Sequence, residues 1–161
     1  GEPGGSGPAM PRYEELVLQL YRRNIFHPVK LGLESISELY QRLGSPLDRI
    51  PTVHVAGTNG KGSVAFKVAR SLDAAGVRSG LFVSPHVSSF QERIQVGGQL
   101  ISQEEVEEYL PFLFKLCDEQ DIPATFFEVA TALAFMAFDK ARCEAVVLEA
   151  GLGGGLGAGK R

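Results

Sequence analysis

Thr52-Val53-His54-Val55-Ala56-Gly57-Thr58-Asn59-Gly60-Lys61-Gly62-Ser63 runs a short β-rich segment straight into a glycine loop. The segment after the loop decides the fold: Val64, Val68, Leu72 and Ala75 recur at helical spacing until Gly76 stops the run. A strand, a glycine-rich turn and a helix in that order let backbone N–H groups converge on a phosphate at the positive end of the helix dipole, with a lysine in the turn as a point charge. The stretch departs from the strict G-x-x-x-x-G-K-[ST] pattern, because Val55 stands where the first glycine belongs and Gly62 follows Lys61. The strand before and the helix after nevertheless supply the required context. Gly57, Thr58, Asn59, Gly60, Lys61, Gly62 and Ser63 are therefore assigned to nucleotide phosphates.

Working outward, Gly80-Leu81-Phe82-Val83 reads as a second buried strand ending at Ser84-Pro85, and Ala145-Val146-Val147-Leu148-Glu149 as a third. Strands separated by helices predict an α/β fold, a P-loop-type parallel sheet with helices on both faces. Gly97-Gly98 between Glu92–Val96 and Leu100-Ile101 predicts a small antiparallel ribbon. Ser102 and Thr125, each followed three residues later by Glu105 or Glu128, have capping-box spacing and open two more helices, reaching about Glu119 and about Phe138. Upstream, helical spacing predicts helices from about Pro11 to Arg23 and from Leu33 to Leu43, the latter stopped by Gly44-Ser45-Pro46. Residues 1–10 read as a flexible leader, 11–150 as part of an ATP-binding domain, and 151–161 as a glycine-rich tail. With no helix after the third strand the sheet reads as incomplete, and its bare apolar face is expected to promote association.

Composition bounds the function. The chain has 161 residues, 44% of them hydrophobic, and a net charge of −3, an ordinary globular range for one domain. No basic field is available to hold a nucleic-acid backbone, while a small anionic ligand remains compatible. Cys117 and Cys143 lie in apolar stretches and read as buried free thiols. The apolar run from Ile122 to Phe138 carries Glu128 and is shorter than the ~20 residues a bilayer needs, so it reads as a buried helix, and no membrane partner is expected. Seven acids against one lysine between Ser102 and Asp121 mark a solvated helix face.

Nucleotide phosphates bring magnesium, which takes hard oxygen ligands and only one or two from protein. Glu149 ends an apolar strand parallel to the one feeding the loop, on the edge where open α/β sheets bind ligands, and a buried carboxylate there needs a cation or a hydrogen-bond partner. Ser84 ends the neighbouring strand and offers a hydroxyl, although a turn residue before Pro85 accounts for it equally. Glu128 is explained by its cap as well as by catalysis. His54, inside a strand, reads as structural, and His86 falls on the ligand side. Gly153-x-Gly155-x-x-Ala158 fits a dinucleotide pattern but lacks the helix and acid that pattern needs.

Five ordered motifs then resemble one family: His54 to Val64, Ser84-Pro85-His86, Glu92-Arg93-Ile94, Thr125-Phe126-Phe127-Glu128, and Leu148-Glu149-Ala150-Gly151-Leu152-Gly153-Gly154. They keep the order seen in folylpolyglutamate synthases and the related dihydrofolate synthases of the Mur ligase superfamily. The resemblance runs from about Ile25 to Gly154 and covers only the N-terminal part of the family's ATPase domain. It implies an ATP-dependent ligase that joins L-glutamate to a folate or pteroate through an acyl phosphate. It further implies that Thr58 to Lys61 contact ATP, with Lys61 catalytic, that Ser84 and Glu149 ligate Mg2+, and that Lys30, Thr125 and Phe127 contact the folate. Lys30, where bifunctional members tend to carry aspartate, favours polyglutamylation over dihydrofolate synthesis. After Gly154 the family's arginine and aspartate are replaced by Gly155 and Gly157, so these 161 residues are expected to bind nucleotide without turnover, or to be a non-catalytic remnant. The full-length protein is expected to be a cytoplasmic monomer, with a mitochondrial form as the alternative.

Overall fold

The computed structural model describes residues 11–26, 34–56, 63–84 and 89–150. Two helices, α1 (Arg12–Phe26) and α2 (Glu34–Arg42), precede β1 (Thr52–Ala56), α3 (Ser63–Ala74) and β2 (Ser79–Val83). A 3-10 turn over Phe90–Arg93 leads into β3 (Ile94–Val96) and β4 (Gln99–Leu100), after which come α4 (Gln103–Gln120), α5 (Phe126–Lys140) and β5 (Ala145–Ala150).

The strands form one sheet in the order β1-β5-β2-β3-β4. Its first three strands are parallel, and β3 and β4 are added antiparallel. The α/β class holds, with a mixed sheet in place of a wholly parallel one. Gly97 and Gly98 adopt φ of +58° and +89° at the β3–β4 turn, the positive values a two-residue hairpin of this twist requires and glycine supplies without strain.

Side-chain alternation along the strands splits the core into two layers. On one face, Ala65 and Ala69 of α3 lie against Leu81, Val83 and Val147. Methyl side chains at these helix positions let α3 approach the sheet closely. On the other face, Phe82, Ile94, Val146 and Leu148 pack with Val129, Leu133 and Phe138 of α5, and α1, α2 and α4 close over α5. Each fully buried Leu or Phe contributes roughly 1.5–3 kcal/mol of transfer free energy. This larger layer therefore dominates the stability.

Four expectations need correction. The third strand is not bare: β5 sits between β1 and β2, and Val146 and Val147 are fully buried. Helices α3 and α5 cover its two faces. Among the described residues β1 and β4 are the sheet's two edges, and β1, paired with β5, leaves Val53 39% exposed. His54 on that edge is exposed too, so it has no core role. The ribbon starts later than expected, because Phe90–Arg93 winds into a 3-10 turn, and α1 continues past Arg23 to Phe26.

Cys117 and Cys143 are buried free thiols, as expected from their apolar surroundings. Desolvation pushes each thiol up to about 11. No helix among the described residues is long and apolar enough to cross a membrane.

Candidate functional site

The register levels three strand ends. Val55 of β1, Glu149 of β5 and Val83 of β2 stand in one row, so the exit of β1 towards the glycine loop, the Glu149 carboxylate and Ser84 share one sheet edge. With neighbouring strands about 4.8 Å apart, the row from β1 to β2 spans about 10 Å. The Ser84 N–H donates to the Glu149 carbonyl at 3.0 Å, holding the end of β2 against β5. Ser84 and Glu149 are both buried, Glu149 to 1% exposure.

The loop residues Gly57, Thr58, Asn59, Gly60, Lys61 and Gly62, the substrate-segment residue Lys30, and His86 lie outside the described residues. Ser63 is the first residue of α3. Alone among the five α-helices described, α3 has no acidic residue in its first turn. The positive end of its dipole is therefore not offset by a carboxylate of its own first turn.

Glu149 alternates with Val147 along β5 and so belongs to the α3 face. Opposite lies the start of α5. There the Glu128 carboxylate accepts from the Thr125 N–H at 2.7 Å and from the Thr125 hydroxyl at 3.0 Å, which assigns Glu128 to the helix cap. Thr125 is 3% exposed, and the Phe127 ring lies 6.2 Å from that of Phe82, two residues before Ser84. The end of β2 thus joins two surroundings: Glu149 and the α3 N-terminus on one side, Thr125 and Phe127 on the other.

From α1, the Arg23 side chain donates to the Ala124 carbonyl at 2.6 Å, and Asn24 Oδ1 accepts from the Phe126 N–H at 3.0 Å. These bonds fix the entry to α5. Asn24 thereby satisfies one of the backbone donors a helix start leaves open.

The described residues contain no cluster of three or more His, Cys, Asp or Glu side chains able to enclose a metal. The Ser84 hydroxyl and the Glu149 carboxylate instead make a partial set of hard oxygens. That suits magnesium, which keeps waters and phosphate oxygens as its remaining ligands.

One residue escaped the sequence reading. Arg93 is 7% exposed, with its guanidinium carbon 4.8 Å from the Phe126 ring centroid and Nη1 donating to Ser84 Oγ at 3.5 Å. Its place in the Glu-Arg-Ile motif was the available signal. No periodicity distinguished it from a solvated arginine.

Comparison with known proteins names the architecture. No family model matches the chain. The chain is 40% identical over 150 residues to a probable bifunctional folylpolyglutamate synthase/dihydropteroate synthase of Haloferax volcanii, a match covering 91% of this chain and 18% of that protein. Among solved structures, it superposes on folylpolyglutamate synthase of Thermotoga maritima with a TM-score of 0.76 at 43% identity, covering 88% of this chain and 33% of the other. Folylpolyglutamate synthase of Mycobacterium tuberculosis, solved with ADP, gives a TM-score of 0.72 at 35% identity, covering 89% and 34%. The chain thus spans about a third of its solved relatives' length and belongs to the folylpolyglutamate synthase/dihydrofolate synthase family of the Mur ligase superfamily.

Proposed function

We propose that this chain is the nucleotide-binding part of an ATP-dependent ligase that adds L-glutamate to a reduced folate. The observation that carries the proposal is the level row Val55–Glu149–Val83, which brings the mouth of the glycine loop, a buried carboxylate and the Ser84 hydroxyl to one sheet edge. The ADP complex of the Mycobacterium tuberculosis relative supports nucleotide binding.

In this reading Gly57 to Ser63 cradle the ATP phosphates, and Thr125, Phe127 and Lys30 receive the folate. Ser84 and Glu149 hold the magnesium, which when bound neutralises charge on the phosphate oxygens. An oxygen of the folate carboxylate attacks the γ-phosphorus, and the bond to ADP breaks. The glutamate amine then attacks the activated carbonyl carbon, phosphate leaves, and an amide forms as the nitrogen loses a proton. Lys61, the loop amides and the N-terminus of α3 stabilise the negative charge developing during phosphoryl transfer. Because this is chiefly positioning and electrostatics, the rigid register of β1, β5 and β2 is what the fold contributes.

Lys61→Ala in the full chain tests the assignment. Calorimetric ATP binding should fall below detection while the unfolding free energy stays within about 0.5 kcal/mol of wild type. Equal affinity of wild type and variant would refute the loop assignment. Incubation with ATP, magnesium, glutamate and tetrahydrofolate should yield glutamylated folate. ATP hydrolysis with no such product would refute the ligase reading, and product from dihydropteroate alone would assign dihydrofolate synthesis.

A further inference from the structure

We propose that Arg93 is a positioning residue for the magnesium site, setting the Ser84 hydroxyl and tying that corner to the start of α5. The inference rests on Ser84 being a metal ligand in the proposed ligase.

Arg93 closes the 3-10 turn between β2 and β3 and is held from two directions. Its guanidinium lies over the ring of Phe126, a cation–π contact made in a desolvated setting. Phe126 is itself fixed: Tyr21 stacks on it with centroids 4.5 Å apart, Phe90 meets it edge-on at 6.1 Å, and Asn24 takes its N–H. From that anchored ring, Arg93 reaches Ser84 Oγ with Nη1. The ion pairs among the described residues are Arg42–Glu38, Arg70–Asp73 and Lys115–Glu119, and Arg93 belongs to none of them. Its Nε is buried with no hydrogen-bond partner among the described residues. A guanidinium taken out of water at such cost, resting on a ring and a hydroxyl, is poorly explained as a stabilising device.

The hydroxyl explains the arrangement. A serine oxygen has one proton and two lone pairs and rotates freely unless a neighbour fixes it. Donation by Arg93 occupies one lone pair and leaves the other for a cation, with the hydroxyl proton turned away from the guanidinium. At 3.5 Å this bond is long, and it is expected to shorten when magnesium binds. Arg93 touches Ser84 and acts through it.

The test is the magnesium concentration giving half-maximal binding of AMPPCP to the full chain, by calorimetry, for Arg93→Met, Arg93→Lys, Ser84→Ala and the double variant Ser84→Ala/Arg93→Met. Methionine keeps an apolar stem over Phe126 and removes the donor. Its half-saturating magnesium should rise about tenfold, the loss expected for a hydrogen bond from a charged group. Metal-free AMPPCP affinity should not change. Arg93→Lys should shift the requirement less, and the double variant should be no worse than Ser84→Ala alone. An unshifted requirement in Arg93→Met alongside a shifted one in Ser84→Ala would overturn the inference and leave the metal site intact. So would additive losses in the double variant. If Ser84→Ala itself shifts nothing, the metal reading falls, and the inference with it. Should Arg93→Met fail to fold, Arg93→Lys decides: a raised requirement supports the inference, and a wild-type requirement overturns it.

Discussion

Gly80→Ala should destabilise the chain by driving a methyl group into the ring of Phe138. Gly80 lies on β2 under α5, and a Cβ built there would stand 2.5 Å from Cδ1 of Phe138 and 2.8 Å from its Cε1 and Cγ. Unstrained carbon contacts lie at about 3.5–4.0 Å, so strand and ring must part by about 1 Å. Phe138 is fully buried among core side chains and has no room to swing aside. Overpacking of this kind costs about 3 kcal/mol, the upper part of the usual range, because neither a strand backbone nor a buried ring yields easily. For a chain of this size the melting temperature should fall by about 6–12 °C. Urea unfolding is the assay: the midpoint should drop with the slope unchanged. Phe138→Leu should rescue part of the loss, so the double variant is more stable than the two single effects predict. Since β2 leads to Ser84, the magnesium requirement for nucleotide binding should rise as well. A variant within about 0.5 kcal/mol of wild type, or strict additivity with Phe138→Leu, would refute the close approach of α5 to β2.

The core and the α1–α5 junction each give a further expected outcome. Burial raises the Cys117 and Cys143 thiols from 9.0 to about 11 in the folded chain, so their contribution to stability is complete below pH 9 and lost as pH rises towards 11. Both should resist a thiol reagent at neutral pH and react once urea unfolds the chain, and stability should decline over that alkaline window; rapid labelling of the native chain at neutral pH would contradict their burial. Asn24→Ala removes the acceptor of the Phe126 N–H and should cost about 1 kcal/mol in urea unfolding, whereas an unchanged midpoint would mean that α1 does not brace the start of α5.

Local punctuation made most of the elements legible. Gly44 and Gly76 both take φ of +87° just beyond α2 and α3, where a side chain would be strained, so those helix ends could be read from residue type alone. Ser102 with Glu105, and Thr125 with Glu128, announced α4 and α5 through a spacing that has a physical mechanism. The order of the strands was not legible. An apolar run such as Ala145 to Leu148 has the same composition in the middle of a sheet as beside it, and only the packing of α3 and α5 on opposite faces decides that β5 enters between β1 and β2. His54 was misread for the same reason, since strand membership does not reveal which strand lies at the edge. Ser84 and Glu149 could be singled out because each ends an apolar segment, where a polar side chain is conspicuous, and the register puts both at one sheet edge. Arg93 was missed because an arginine's burial depends on a ring that arrives from elsewhere in the chain.

The place of β5 also fixes when the site can exist. The strands that carry the glycine loop and Ser84 never pair with each other, and both are seamed to the segment made last among the described elements. During synthesis, α1 to α5 can leave the ribosome and begin to collapse while that edge has no geometry at all. Only insertion of residues 145–150 between two waiting strands, closing contacts distant in sequence on both sides, brings them into line. Such non-local closure is slow. Assembly of that sheet edge is thus expected late in folding, and a nascent chain stalled before residue 145 would present β1 and β2 without the strand that joins them.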